Sequence, residues 1–213
     1  MGSRGPVKAV LPAAERDCRP ATGLLPSAPA AAIGRAALHN QTERFTVTAI
    51  SNNGLGIHVR WMIRRDMAEV MAIEQEAFEF PWSDEDFTRC LRQRNCIGMV
   101  AELADSVVAF MIYELHRSRL HVLNFAVLRS HRRLGVGTQM LEKLIGKLTP
   151  DRRGRIVLEV RETNLPAQLF FRSLGFRATV VLKDFYQDST EDAYLMEYAL
   201  EAEQPAMPRR LAG

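Results

Sequence analysis

Cysteine is scarce in this chain. Cys18, Cys90 and Cys96 are an odd set with no C-x-x-C spacing and no clustered histidines nearby. That excludes a zinc-ribbon pattern and a disulfide framework, so no metal is expected, and a reducing, cytoplasmic setting is. An excess of one charge is missing too: 28 basic against 25 acidic side chains leave a net +3, too balanced for nucleic acid as principal partner. No apolar run approaches the ~20 residues a membrane-spanning helix needs, so no membrane partner is expected. Two phosphate-binding signatures also fail. The dinucleotide fingerprint would need glycine at the third position after Gly137, where Met140 stands, and no G-K-[ST] completes a P-loop.

Order-forming residues are sparse at the start of the chain as well. Pro6, Pro12, Pro20, Pro26 and Pro29 punctuate an Ala-rich stretch with too little apolar mass to offset ordering entropy. Residues 1–55 therefore read as a disordered extension. Ala9-Val10-Leu11 ends at Pro12, too soon for a secretory signal. A single domain is expected over 56–202, with a loose tail over 203–213.

Within that domain the patterns alternate between strand and helix. His58–Ile63 alternates as a strand. Asp66 with Glu69 offers a capping box before Met67, Val70, Met71, Ile73 and Ala77. Phe80-Pro81-Trp82 breaks that helix, and Ser83 caps the next, with Asp84, Glu85 and Asp86 in its first turn. Strands follow at 97–103 and 107–115 around the turn at Ala104-Asp105-Ser106, and a third at 121–128. A helix runs to about Leu148, then a strand over 155–161. Asn164 and Pro166 open a last helix, which Gly175 closes, and strands over 176–183 and 193–200 complete the series.

The stretch Arg132-Arg133-Leu134-Gly135-Val136-Gly137-Thr138 stands between an apolar strand and an amphipathic helix. The first N–H groups of a helix have no internal partner, and with the helix dipole they suit a phosphate. Read as Arg132-x-x-Gly135-x-Gly137, the stretch fits [QR]-x-x-G-x-[GA] and resembles the acyl-CoA-binding motif of the GNAT superfamily of N-acetyltransferases. The order β-α-α-β-β-β-α-β-α-β-β is also that of the GNAT fold, an α+β architecture with a central, mostly antiparallel sheet and splayed strands.

Five further pieces narrow the resemblance: Phe80-Pro81-Trp82-Ser83, Asn124-Phe125-Ala126-Val127, Leu158-Glu159-Val160-Arg161 with Asn164, Leu174-Gly175-Phe176, and Phe185-Tyr186. Together they resemble the bacterial ribosomal-protein-alanine N-acetyltransferase family over residues 58–200. The resemblance implies acetyl-CoA as donor and a protein N-terminus, that of a ribosomal protein, as acceptor. It implies that Arg132, Arg133, Leu134, Gly135, Val136, Gly137 and Thr138 hold the cofactor's pyrophosphate. Phe125, Ala126 and Val127 would pair their backbone with its pantetheine arm, and Asn164 would touch it. Glu159 becomes the proton acceptor, and Trp82 and Tyr186 line the acceptor side. A monomer is expected.

Each role has a plainer counterpart. Glu159 is a mid-strand acid that Arg161, two residues on and on the same face, could hold as a structural ion pair. Asn164 can be a helix cap and Trp82 a packed anchor, and His121, on the central strand and able to serve as an auxiliary base, can be a satisfied structural histidine. One departure is clear: where the family has a tyrosine as proton donor to the thiolate, this chain has Phe171. An enzyme for small-molecule amines and an acyl-CoA-binding module with little turnover are the alternatives.

Overall fold

The computed structural model describes residues 8–9, 56–186 and 189–200. The expectations for the rest of 1–55, for the loop residues Gln187 and Asp188, and for the tail from 201 lie outside the described residues.

One strand, β1 (Lys8–Ala9), falls in the stretch expected to be disordered, where pairing with a later strand orders it. The other elements follow the expected order: β2 (His58–Trp61), α1 (Met67–Ala77), α2 (Asp84–Leu91), β3 (Cys96–Leu103), β4 (Ser106–Leu115), β5 (Arg119–Val127), α3 (Val136–Ile145), β6 (Arg155–Arg161), α4 (Leu165–Ser173), β7 (Arg177–Leu182) and β8 (Ala193–Ala199). Among the described residues no helix is long and apolar enough to cross a membrane. The sheet runs β2-β3-β4-β5-β6-β8-β7, antiparallel throughout except where β5 meets β6 in parallel. One apolar layer joins the sheet to α3 and α4 through Met140, Leu141, Leu144, Ala167 and Phe171. The other joins it to α1 and α2 through Val70, Ile73, Ala77 and Phe87. This is the α+β architecture expected.

Local chemistry explains most of the boundaries. Ala104 and Asp105 both have positive φ (49° and 62°), as a tight two-residue hairpin requires. Ser83 and Asp86 form a reciprocal capping box, Asp86 N–H donating to Ser83 Oγ at 3.2 Å and Ser83 N–H to Asp86 Oδ2 at 3.0 Å. The end of α4 is a Schellman motif. Gly175 has φ 91°, its N–H donates to Arg172 O, and Phe176 N–H reaches Phe171 O.

Two local readings are corrected. Asp66 holds the N-cap position of α1, but its side chain does not cap the helix: it closes a 3-10 turn, accepting from Ile63 N–H at 2.8 Å and from the Arg60 guanidinium. Arg60 holds the Asp66 carboxyl below its usual range, and Glu69 accepts from Val107 N–H instead of capping the helix. Helix α3 also ends at Ile145 rather than Leu148, where the chain tightens into turns in which Lys147 and Leu148 N–H reach back three residues.

The feature that positions the site is a separation of strands. β5 and β6 pair only over Arg119–His121 with Arg155–Val157, after which both continue without pairing to each other. On its other side β5 pairs with β4 along nearly its whole length, with Leu123 inserted as a bulge between Val122 and Asn124. The edge that β5 turns toward β6 is therefore open from Val122 onward. There β1 pairs in parallel, Lys8 with Asn124 and Ala9 with Phe125.

Candidate active site

The donor end of the site is built by backbone. Gly135 is the N-cap of α3 with φ 83°, and an added Cβ there would meet nothing within 4 Å. Its requirement is thus conformational, a left-handed corner that side chains resist. Arg133 shares that region at φ 64°. Gly137 carries a packing requirement of its own. A Cβ there would come within 3.1 Å of the Phe170 ring and 3.4 Å of Phe125, so this glycine lets α3 close against α4 and β5. The corner aims the opening turn of α3, including Val136 N–H, Gly137 N–H and Thr138 N–H, away from the helix. Leu134 is exposed beside it and Val136 is buried beneath it.

Arg132 is the cation of this corner. Its Nε donates to Val127 O at 3.1 Å, while Nη2 is buried with no hydrogen-bond partner among the described residues. Burial and the neighbouring Arg129 hold its pKa below the usual guanidinium range. A diphosphate would relieve both conditions, so the donor set fits the pyrophosphate of acetyl-CoA. Phe125, Ala126 and Val127 lie past the pairing of β5 with β6, with buried side chains, and on the edge away from β4 Phe125 pairs with Ala9 of β1. Their main-chain groups are what an extended pantetheine arm could pair with. Asn164 Oδ1 caps α4 by accepting from Ala167 N–H at 3.0 Å.

The acceptor end is built by side chains. Glu159 is 6% exposed and lies on the stretch of β6 past its pairing with β5. Its partner is His121, whose Nε2 sits 2.8 Å from Oε2 and 3.1 Å from Oε1. The anticipated Glu159–Arg161 pair does not form. Arg161 instead pairs with Glu191 and donates to Ser189 Oγ at 2.8 Å, because the β7–β8 loop returns across this face. Its guanidinium stacks 3.8 Å from the Tyr186 ring centroid and 5.6 Å from that of Phe80.

Trp82 is placed differently from the acceptor-lining role. Its ring is 5% exposed and sits edge-on to Phe87 at 5.2 Å, within the α1–α2 core layer. The turn it anchors is pinned by Glu74, fully buried, which accepts from Trp82 N–H at 2.7 Å and from Asn124 Nδ2 at 3.0 Å. One carboxylate thus ties the 80–83 turn to β5. Phe171 is fully buried among Phe125, Phe170 and Phe176, at centroid distances of 6.4, 5.2 and 5.5 Å. It supplies shape to the wall behind β5 and no hydroxyl.

Several features escaped sequence reasoning: Glu74, Glu191, and the grouping of Glu114 and His116 with His121, whose donor atoms lie within 4.8 Å of one another. A signal for the last existed. The short turn at Arg117-Ser118 fixes the hairpin so that His116 N–H meets Arg119 O and Glu114 faces His121 in register. Cys90 and Cys96 also meet, as free thiols with Sγ atoms 2.7 Å apart on α2 and β3. That contact and burial push the Cys96 thiol well above its usual range, removing the thiolate an acyl-enzyme at this position would need.

The chain resembles known proteins over this same region. It is 31% identical over 133 residues to the ribosomal protein bS18-alanine N-acetyltransferase of Escherichia coli K12, covering 62% of this chain and 89% of that one. The crystal structure of the Escherichia coli ribosomal-protein-S18-alanine N-acetyltransferase superposes with a TM-score of 0.63 at 26% identity, over 71% of this chain and 98% of that one. An N-alpha-acetyltransferase of Sulfolobus acidocaldarius is 28% identical over 163 residues, 70% of this chain and 96% of the relative. Arabidopsis thaliana NAA60 in complex with acetyl-CoA shares the fold alone, with a TM-score of 0.62 at 16% identity, covering 68% and 99%. Residues 67–176, more than half of the chain, match the acetyltransferase (GNAT) family, and it is to this family that the protein belongs.

Proposed function

We propose that the protein transfers the acetyl group of acetyl-CoA to the α-amine of a protein N-terminus, with a ribosomal protein beginning with alanine as acceptor. The observation that carries this reading is Glu159: a buried carboxylate on the separated stretch of β6, partnered by His121 and not tied up by Arg161. Two of the relatives named above are, by name, a ribosomal-protein-alanine N-acetyltransferase and an N-alpha-acetyltransferase, which supports the acceptor class.

Arg132 and the amides at the start of α3 hold the diphosphate, and the free edge of β5 takes the pantetheine arm. On this reading β1 withdraws from that edge when the cofactor enters, since both need the same main-chain groups. Glu159, directly or through one water, removes a proton from the ammonium, whose unperturbed pKa of ~7.7–8.0 makes the step easy near neutrality. The free amine attacks the thioester carbonyl, forming the C–N bond. Collapse of the tetrahedral intermediate then breaks the C–S bond, and CoA departs as thiolate. A thiol pKa near ~8.5 makes that departure feasible without a donor, consistent with Phe171 at the position of the family tyrosine. The Phe80–Arg161–Tyr186 stack forms the surface on which the acceptor's first residues lie.

The test is CoA release from the purified protein with acetyl-CoA and a peptide beginning with alanine, beside a polyamine and an amino sugar. Faster turnover of the peptide is expected. Preference for a small amine would overturn the acceptor class, and an unchanged rate for Glu159→Gln would remove Glu159 from its role.

A further inference from the structure

Four ionisable side chains form a continuous series from the separated strands to the surface, and the mechanism above uses only the innermost. Glu159 and His121 share one face because His121 pairs with Val157, two residues before Glu159 on β6. Glu114 faces His121 across the β4–β5 hairpin, and His116 follows Glu114 by two residues, again on the same side. Side-chain exposure rises steadily along the series: 8% for Glu159, 14% for His121, 19% for Glu114 and 35% for His116. His121 Nε2 touches Glu159 Oε2 at 2.8 Å. His116 Nε2 lies 3.0 Å from Glu114 Oε2, an ion-pair contact without hydrogen-bond alignment. The imidazole rings are 6.0 Å apart, and the donor atoms of Glu114, His116 and His121 lie within 4.8 Å of one another, a span that one water bridges.

We propose that His121, Glu114 and His116 form a proton exit that empties Glu159 into solvent during turnover. The inference rests on the reading of Glu159 as proton acceptor. Converting a protein ammonium and a thioester to an amide and a thiolate releases two protons, one before the amine attacks and one from the new C–N centre. With no hydroxyl on Phe171 to return one to sulfur, both leave by way of Glu159. Glu159, once protonated, passes its proton to Nε2 of His121, and the imidazole releases the proton held on Nδ1. Glu114, His116 or a bridging water takes that proton onward, and His116 delivers it to bulk water. A ring flip or exchange through water then returns the proton on the imidazole to Nδ1 and frees Nε2 for the second proton. Glu159 is then a carboxylate again. A buried carboxylate with no exit would have to wait for its proton to leave with product.

A relay of this kind has a property that a purely structural cluster lacks: small bases from solution can replace its outer member. Full-length wild-type protein, His116→Ala, His121→Ala, His121→Gln and Glu159→Gln are compared with acetyl-CoA and the alanine peptide, in dilute buffer and then with added imidazole. In dilute buffer His116→Ala is expected to lose roughly tenfold in kcat and the His121 variants roughly a hundredfold, within the range of proton-transfer assistance. KM for acetyl-CoA should stay unchanged, and imidazole should restore most of the His116→Ala loss. Full kcat for His116→Ala in dilute buffer, or a loss that imidazole does not restore in a variant of native thermal stability, overturns the relay. So does stoichiometric binding of zinc chloride by the wild type that His116→Ala abolishes, when the metal-free variant keeps full kcat, because the cluster is then a cation site. If Glu159→Gln is slow while the histidine variants are not, only the relay fails. If Glu159→Gln is as fast as wild type, the reading of Glu159 itself fails.

Discussion

The two ends of the site are made of different material. At the Gly135 corner the working groups belong to the backbone, and one cation, Arg132, stands behind them. Around Glu159 the working groups are side chains brought together from β4, β5, β6 and the β7–β8 loop. A backbone device is specified within a dozen residues. A side-chain device needs register, loop return and packing all to be correct. The donor end should therefore tolerate most side-chain changes and fail on conformation, whereas the acceptor end should tolerate backbone adjustment and fail on single functional groups.

The largest expected effect tests that contrast most directly. Glu159→Gln keeps shape and removes the proposed base, so kcat with the alanine peptide should fall about 10²–10⁴-fold with KM for acetyl-CoA unchanged. A fall in thermal stability with no fall in kcat would make the carboxylate structural. At the donor end, Arg132→Ala removes a charge-assisted contact worth ~1.5–3 kcal/mol, so KM for acetyl-CoA should rise roughly 10–100-fold with little change in saturated kcat. An unchanged KM in low salt would mean that the helix amides suffice alone.

A third measurement moves to the loop that covers the acceptor face. Burial raises the pKa of Glu191, but hydrogen bonds from Thr163 and Arg161 outweigh it, and the net shift is downward. A carboxylate depressed on folding contributes stability that is fully present above its unfolded pKa of ~4.3 and is lost as pH falls through the lower folded value. Glu191→Gln should lower the melting temperature at pH 7 by several degrees, corresponding to ~1–2 kcal/mol. That gap should close as the pH drops below about 4. A gap that persists in acid would assign the effect to packing.

Gly135→Ala places a Cβ at φ 83° with open space around it, so the expected cost is conformational, ~1 kcal/mol or slightly more, with a matching weakening of acetyl-CoA binding. The smallest effect is expected from removing residues 1–14. Freeing the β5 edge that β1 shares with the cofactor should lower KM for acetyl-CoA a few-fold, the order of one or two net hydrogen bonds. A higher KM after truncation would mean that β1 helps to hold the cofactor.

How much was legible in advance follows the same division. Ser83, Asn164 and Gly175 were recognisable as helix ends because capping depends on residues three or four apart, and the structure shows each in that role. At Asp66 the same logic places the cap but not the use of its carboxylate, which Arg60, six residues earlier on β2, claims. Glu159 stood out as an acid in an apolar strand, but its partner could not be read, because both Arg161 and His121 are compatible with the pattern.

By itself the sequence determined the succession of strands and helices, the glycine corner that opens α3 and the apolar faces that bury the sheet. Those depend on local backbone preference and on periodicity. Tertiary structure alone decided that β5 and β6 part after His121, that Arg161 turns to Glu191, and that Glu114, His116, His121 and Glu159 share one face. These outcomes rest on which strands become neighbours and in what register, and groups 30 or more residues apart acquire a mutual electrostatic environment only once that neighbourhood exists.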